Sequence, residues 1–210
     1  IYTIFKPNVD LSWVGKAVRE AVKYAEAHPG IAIGVAPQAF IFGGGPEPTP
    51  QQLRAQIYLG LVNGARAFFP YAYAENYGTE AFSDVPGQPA GMSRNSARRH
   101  WWLPDSLMWD EIPRIASELR ELRPVILADG GEVGEQIGET AIQWLARVVD
   151  GAGTLVAVNP RAETSALQLR LPGGTKSLEP LFASQEPALE GQRLELTMGA
   201  YEVGVYRFVP

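Results

Sequence analysis

TPQQLRAQIYLGLVNGARAFFPYAY, residues 49–73, is the stretch on which the fold turns, and it reads as a helix running straight into a buried strand. Thr49 can act as N-cap, Pro50 stands at the first helical position, and Gln52 falls where a capping box wants Glu or Gln. Leu53, Ile57 and Leu61 recur every fourth residue with Tyr58 and Val62 beside them, which predicts one apolar helical face. Gly64 is placed to end the helix in a left-handed conformation. Residues 65–69, ARAFF, follow almost at once and stop at Pro70. So short a connection into a strand apolar on both faces predicts a parallel strand covered from both sides.

Working outward, residues 1–5 (IYTIF) read as a short strand closed by Lys6-Pro7-Asn8. A helix is expected from about residue 11 to 27, capped by Asp10 or Ser12, with Trp13, Ala17, Val18, Ala21, Val22 and Ala25 on its inner face. Residues 31–36 (IAIGVA) form a second expected strand, ending at Pro37-Gln38-Ala39-Phe40. The order β-α-β-α-β predicts a parallel sheet through right-handed crossovers. From residue 74 to 105 the pattern disappears into a long loop, and loops of that length are usually functional. A further helix runs to about residue 123, with Trp109, Ile112, Ile115, Leu119 and Leu122 along one side. Pro113 is harmless there if the regular helix starts at Asp110.

Near residue 128 the period changes from helical to alternating. Ile142, Trp144 and Ala146 alternate with Gln143, Leu145 and Arg147; Asp150-Gly151 turns the chain into residues 155–158, LVAV. Leu167, Leu169 and Leu171, then Leu194 and Leu196, alternate with polar neighbours, and Tyr201, Val203 and Val205 close the chain. Short strands with turns between them indicate an antiparallel sandwich. The expected fold class is therefore α/β plus all-β, with the chain divided into residues 1–128 and 129–210.

Composition sets outer bounds. The chain has 210 residues, 46% hydrophobic, enough for a substantial core. A net charge of −5 argues against a broad nucleic-acid footprint. No apolar run approaches a membrane span. Cys is absent, so disulfides are excluded and the redox compartment is not readable; secreted and cytoplasmic locations both stay open. With two His and no Cys, a transition-metal site is not expected, and no cofactor is implied; calcium, which takes oxygen ligands, is left open. The glycine runs at 43–45 and 173–174 lack the order of a phosphate loop.

The strand ending PQAF, the Pro-rich loop, the 49–73 stretch, the long loop and the helix WDEIPRIASELREL (109–122) together resemble the last strands and helices of TIM-barrel glycoside hydrolases. Residues 141–173, AIQWLARVVDGAGTLVAVNPRAETSALQLRLPG, resemble the C-terminal β-sandwich that many such enzymes carry. The nearest likeness is to clan-A-like β-glycosidases, galactosidase-like and agarase-like enzymes among them. The resemblance implies that residues 1–128 are the C-terminal portion of a (β/α)8 barrel and 129–210 a β-sandwich domain. It also implies a saccharide substrate, and an N-terminal barrel half on the same or another chain.

Barrel chemistry sits on the loops after the strands. Glycoside hydrolysis usually needs two carboxyl groups, roughly 5 Å apart for retention or about 6.5–9.5 Å for inversion. The resemblance puts a nucleophilic Glu at the end of the seventh strand; the matching position holds Gln38, whose amide orients hydroxyls but cannot act as nucleophile or acid. The family's acid/base Glu, on the fourth strand, is expected upstream. Glu75, just past the Tyr71-Ala72-Tyr73 strand end, is the candidate catalytic carboxylate; a solvated loop acid is the competing reading. Tyr71, Tyr73, Trp101 and Trp102 are candidate stacking residues for sugar rings, against a role in anchoring the loop. Arg98, among Arg94, Arg99 and His100, suits an acidic or sulfated saccharide, against a solvated charge run. The two functional readings are a glycoside hydrolase acting on a poly- or oligosaccharide and a non-catalytic carbohydrate-binding or scaffold protein.

Overall fold

The computed structural model describes residues 8–39, 48–70 and 108–210. The first helix, α1, is Ser12–Glu26; the Asp10 carboxylate accepts the Ser12 N–H at its start, 2.8 Å away. Its inner face differs from expectation. Leu11, Val14, Gly15 and Val18 are buried, whereas Trp13 is 36% exposed. The stripe is rotated because Gly15, which reads as neutral, lies against Asn63 and Gln143.

The second helix, α2, is Pro50–Val62, and its ends follow the local rules closely. The Thr49 hydroxyl accepts the Gln52 N–H at 3.1 Å while the Gln52 amide oxygen accepts the Thr49 N–H at 2.9 Å. At the far end Gly64 (φ +96°) donates its N–H to Leu61 and Ala65 donates to Gly60, which satisfies two of the last carbonyls. The middle of α2 is not one-sided: Leu53 and the whole run from Ala55 to Leu61 are buried. A helix covered all round is a core helix.

Strand β1 (Gly34–Val35) and β2 (Ala67–Phe68) flank α2 in the chain and pair in parallel, with Gly34 opposite Ala67 and Val35 opposite Phe68. Arg66 and Phe69 extend the ladder by donating to the carbonyls of Ile33 and Val35 at 2.8 and 2.9 Å. The regular pairing is shorter than the apolar runs, and Phe69 is 64% exposed. Residues 1–5 and 74–105 lie outside the described residues. Helix α3 is Met108–Glu121 and α4 is Arg123–Leu127. Since α3 starts two residues before Asp110, Pro113 lies inside it rather than in its first turn.

Beyond α4 come two four-stranded antiparallel sheets. One has the order β4 (Gln143–Val149), β5 (Ala152–Val158), β10 (Val203–Phe208), β7 (Leu178–Pro180). The other runs β3 (Glu135–Gln136), β6 (Ser165–Arg170), β9 (Arg193–Met198), β8 (Ala188–Glu190). Leu155, Ala157, Tyr206 and Phe208 of the first sheet share one cluster with Leu167, Leu169, Leu194 and Leu196 of the second. On the other face of the first sheet, Val156, Val158, Val203 and Val205 belong to the cluster that contains α2. The molecule is thus layered: the parallel pair, then α1 and α2 side by side, then a sheet buried on both faces, then a sheet with one wet face, with α1 bonded directly to that first sheet through Gln143.

The α2–β1 seam has no slack. A Cβ built on Gly60 would stand 2.7 Å from Val35 Cγ1. Gly60→Ala is therefore expected to cost about 1–3 kcal/mol, read from urea unfolding of the complete protein. A cost below about 0.5 kcal/mol would mean that the parallel pair yields freely to α2.

Candidate functional site

Of the residues expected at a saccharide site, Gln38 is among the described ones. Glu75, Tyr71, Tyr73, Trp101, Trp102 and Arg98 lie outside them. Gln38 stands three residues beyond Val35, at the same end of the parallel pair from which the chain leaves Phe68. It is fully buried. Its backbone is held from α2: the Gln56 amide oxygen accepts the Gln38 N–H at 3.2 Å and the Gln56 amide nitrogen donates to the Gln38 carbonyl, also at 3.2 Å. Pattern reading of the sequence passes over Gln56. The available signal is a polar residue inside AQIYLGL, where every neighbour is apolar or glycine.

On the opposite side of α2 lies a charged cluster that pattern reading also misses. The Glu118 carboxylate, 5% exposed at its side chain, accepts from Arg54 Nε at 3.0 Å and from the Tyr58 hydroxyl at 2.7 Å. Its other oxygen accepts from Arg114 at 2.6 Å, and Arg114 also donates to Glu111. Arg54 completes its fork by donating to the carbonyls of Val203 and Phe182 at 2.9 and 3.1 Å. A single guanidinium therefore joins α2, α3, β10 and the segment after β7. The Tyr58 hydroxyl is held protonated far above its ordinary range, first by burial and then by the adjacent Glu118 charge. A cleft of about 790 Å³ opens over this cluster, between the two helices and the turn at residues 199–202. Every charge on its floor has a partner, so the cluster reads as a joint. Among the described residues no group of acidic or His side chains is arranged to hold a metal, and no helix is long and apolar enough to cross a membrane.

Two outcomes check this electrostatic account. Glu118→Ala leaves Arg54 buried without its counter-charge and is expected to cost about 3–5 kcal/mol by chemical unfolding, against well under that for an exposed pair. Alkaline stability is the second. Burial, with Glu202 adding to it, pushes Tyr206 up to about 12, and Tyr58 is raised further. The folded state thus keeps protons that the unfolded chain releases from about pH 10 upward. Stability should hold below that pH and fall above it, and Tyr58→Phe should flatten the fall; an unchanged slope would separate Tyr58 from it.

No family model matches the chain, and no curated protein matches it. Solved structures do. An α-amylase from Geobacillus thermoleovorans, solved with acarbose, superposes with a TM-score of 0.58 at 14% identity, over 94% of this chain and 47% of that one. An Anoxybacillus α-amylase gives 0.53 at 14% identity, over 95% and 46%. The isomaltulose synthase of Klebsiella sp. LX3 gives 0.53 at 13% identity, again over 95% and 46%. The chain spans a little under half the length of these structures. At such identities the likeness is one of fold: helices followed by antiparallel sheets, as in part of a glycoside hydrolase barrel protein.

Proposed function

We propose that this chain is the C-terminal part of a (β/α)8-barrel glycoside hydrolase acting on a poly- or oligosaccharide. Residues 1–128 would supply the last βα units and residues 129–210 a β-sandwich domain. The observation that carries the reading is the parallel β1-α2-β2 unit followed by two packed antiparallel sheets, an arrangement that superposes on carbohydrate-active enzymes over 94–95% of the chain. The rest of the barrel is the required partner, on the same or another chain. The finer likeness to galactosidase-like and agarase-like enzymes is part of the proposal.

In such an enzyme the sugar approaches the strand ends. Val35 and Phe68 are paired, so the segments that begin at Pro37 and Pro70 leave side by side. Glu75 on the second segment is the proposed catalytic carboxylate, its partner coming from the rest of the barrel. Tyr71, Tyr73, Trp101 and Trp102 would stack on sugar rings and Arg98 would meet an acidic group, while Gln38, expected from the sequence to orient a hydroxyl, is fully buried and would act by holding the end of β1. A carboxylate that donates or accepts the proton at the glycosidic oxygen contributes typically about 10²–10⁴-fold.

A second reading, a non-catalytic carbohydrate-binding or scaffold protein of the same architecture, draws on one specific observation. An amide, Gln38, occupies the position at which the resemblance expects a nucleophile. The deciding experiment is Glu75→Gln in the complete enzyme, assayed for release of reducing ends from linear oligosaccharides. Turnover should drop by orders of magnitude with the protein still folded. Near-normal turnover removes Glu75 from the mechanism, and saccharide binding without any cleavage by the wild type selects the second reading.

A further inference from the structure

We infer that Gln56 is a positioning residue for the saccharide site, its side-chain amide fixing the peptide of Gln38 at the end of β1. The inference rests on the glycoside-hydrolase reading above and adds to it a residue on a core helix.

A primary amide carries a donor and an acceptor side by side, as a peptide group does in a neighbouring strand. Gln56 uses both on the N–H and the carbonyl of a single residue, Gln38, at 3.2 Å each. It therefore grips both backbone polar groups of one residue from a helix. Both bonds end on backbone, so they fix the direction in which the Gln38 side chain and the following residue leave the strand. Gln56 is itself buried and adjoins a cavity of about 270 Å³. That cavity is otherwise lined by Val14, Ala17, Val18 and Ala21 of α1 and by residues 33–37, none of them titratable. The charges of the helical layer at Arg54 and Glu118 are engaged with each other on the opposite side of α2. Packing alone would be served by an apolar side chain among such neighbours; the amide adds orientation. A displacement of about 1 Å at a reacting centre costs on the order of 10²-fold in rate, so a clasp of this kind is felt in kcat.

The test uses the complete enzyme with maltoheptaose, xylohexaose and a β-linked galactohexaose as probes. On whichever probe the wild type cleaves, Gln56→Met should lower kcat by about 10- to 100-fold and leave KM within about threefold. The Gln38 amide should exchange faster in the same variant. Gln56→Glu separates positioning from packing, because its carboxyl is isosteric with the amide. Ionised, it still accepts the Gln38 N–H but repels the Gln38 carbonyl; protonated, it recovers both bonds. Burial raises the pH at which that happens. Its kcat, taken as a ratio to wild type at each pH, should therefore recover as pH falls, while the ratio for Gln56→Met stays flat. Wild-type kcat in Gln56→Met, unchanged Gln38 exchange, or a flat ratio for Gln56→Glu overturns the inference. A wild type that cleaves no probe overturns the hydrolase reading itself, which is a different result.

Discussion

A helix covered on every side has to satisfy each polar group it carries, and α2 carries four of them into the core: Gln52, Arg54, Gln56 and Tyr58. Everything else in the molecule is arranged around that constraint. Gln52 closes the cap on Thr49, Arg54 and Tyr58 meet Glu118, and Gln56 takes the Gln38 peptide. Left unpaired, each would cost about 1–3 kcal/mol, more for the guanidinium, which is comparable to a large part of a domain's net stability. The helix can therefore occupy its place only when α3, the first antiparallel sheet and the end of β1 are all in register with it. One element reports on the assembly of three layers.

The charged and neutral groups on α2 answer different needs. Arg54 spans two backbone carbonyls and a carboxylate belonging to elements that are distant in the chain. A guanidinium suits this because its five donors lie in one rigid plane. The pair with Glu118 adds little net stability over a well-packed apolar pair, yet it is directional. It fixes how the helical layer turns against the sheet, where interchangeable aliphatic contacts such as those of Val156 and Val205 do not. Orientation of the strand ends follows from that angle, since Gly60 leaves α2 no room to shift over Val35.

Local rules were readable in the residues; non-local ones were not. The Thr49–Gln52 box and the Gly64 terminus depend on atoms within five residues, and both stand where the sequence puts them. Alternation is equally legible in β6 and β9, which keep one wet face: Leu167, Leu169, Leu194 and Leu196 point in while Gln168 and Glu195 face out. It fades in β5, where everything from Gly153 to Val158 is buried because α2 covers the second face. Nothing local to Arg54 or Gln56 announces their partners, since Glu118 lies 64 residues beyond Arg54 and Gln38 lies 18 before Gln56. Trp13 reads as core by hydrophobicity and turns outward because Gly15 admits Asn63 and Gln143 to the helix surface. Of the saccharide-site residues named from the sequence, Gln38 is the one within the described residues, and its burial could not be read from the chain.

In the proposed hydrolase the two sides of α2 would also differ in what they do to a reaction centre at the strand ends. A charged side chain at the end of β1 would hold a backbone as firmly as an amide, but it would also bias every carboxyl within a few ångströms through a weakly screened field. Glycoside hydrolysis depends on two carboxyl groups whose protonation states must differ, and a tenfold change in either protonation equilibrium is worth about 1.4 kcal/mol. Gln56 grips Gln38 with a donor and an acceptor and no net charge, so it orients the strand end without adding a charge there. The ion pair is kept on the far side of the same helix, where Arg54 and Glu118 neutralise one another against the sheet. Rigid placement and electrostatic neutrality at the strand end thus come from one helix, by dividing its neutral and charged polar groups between opposite faces.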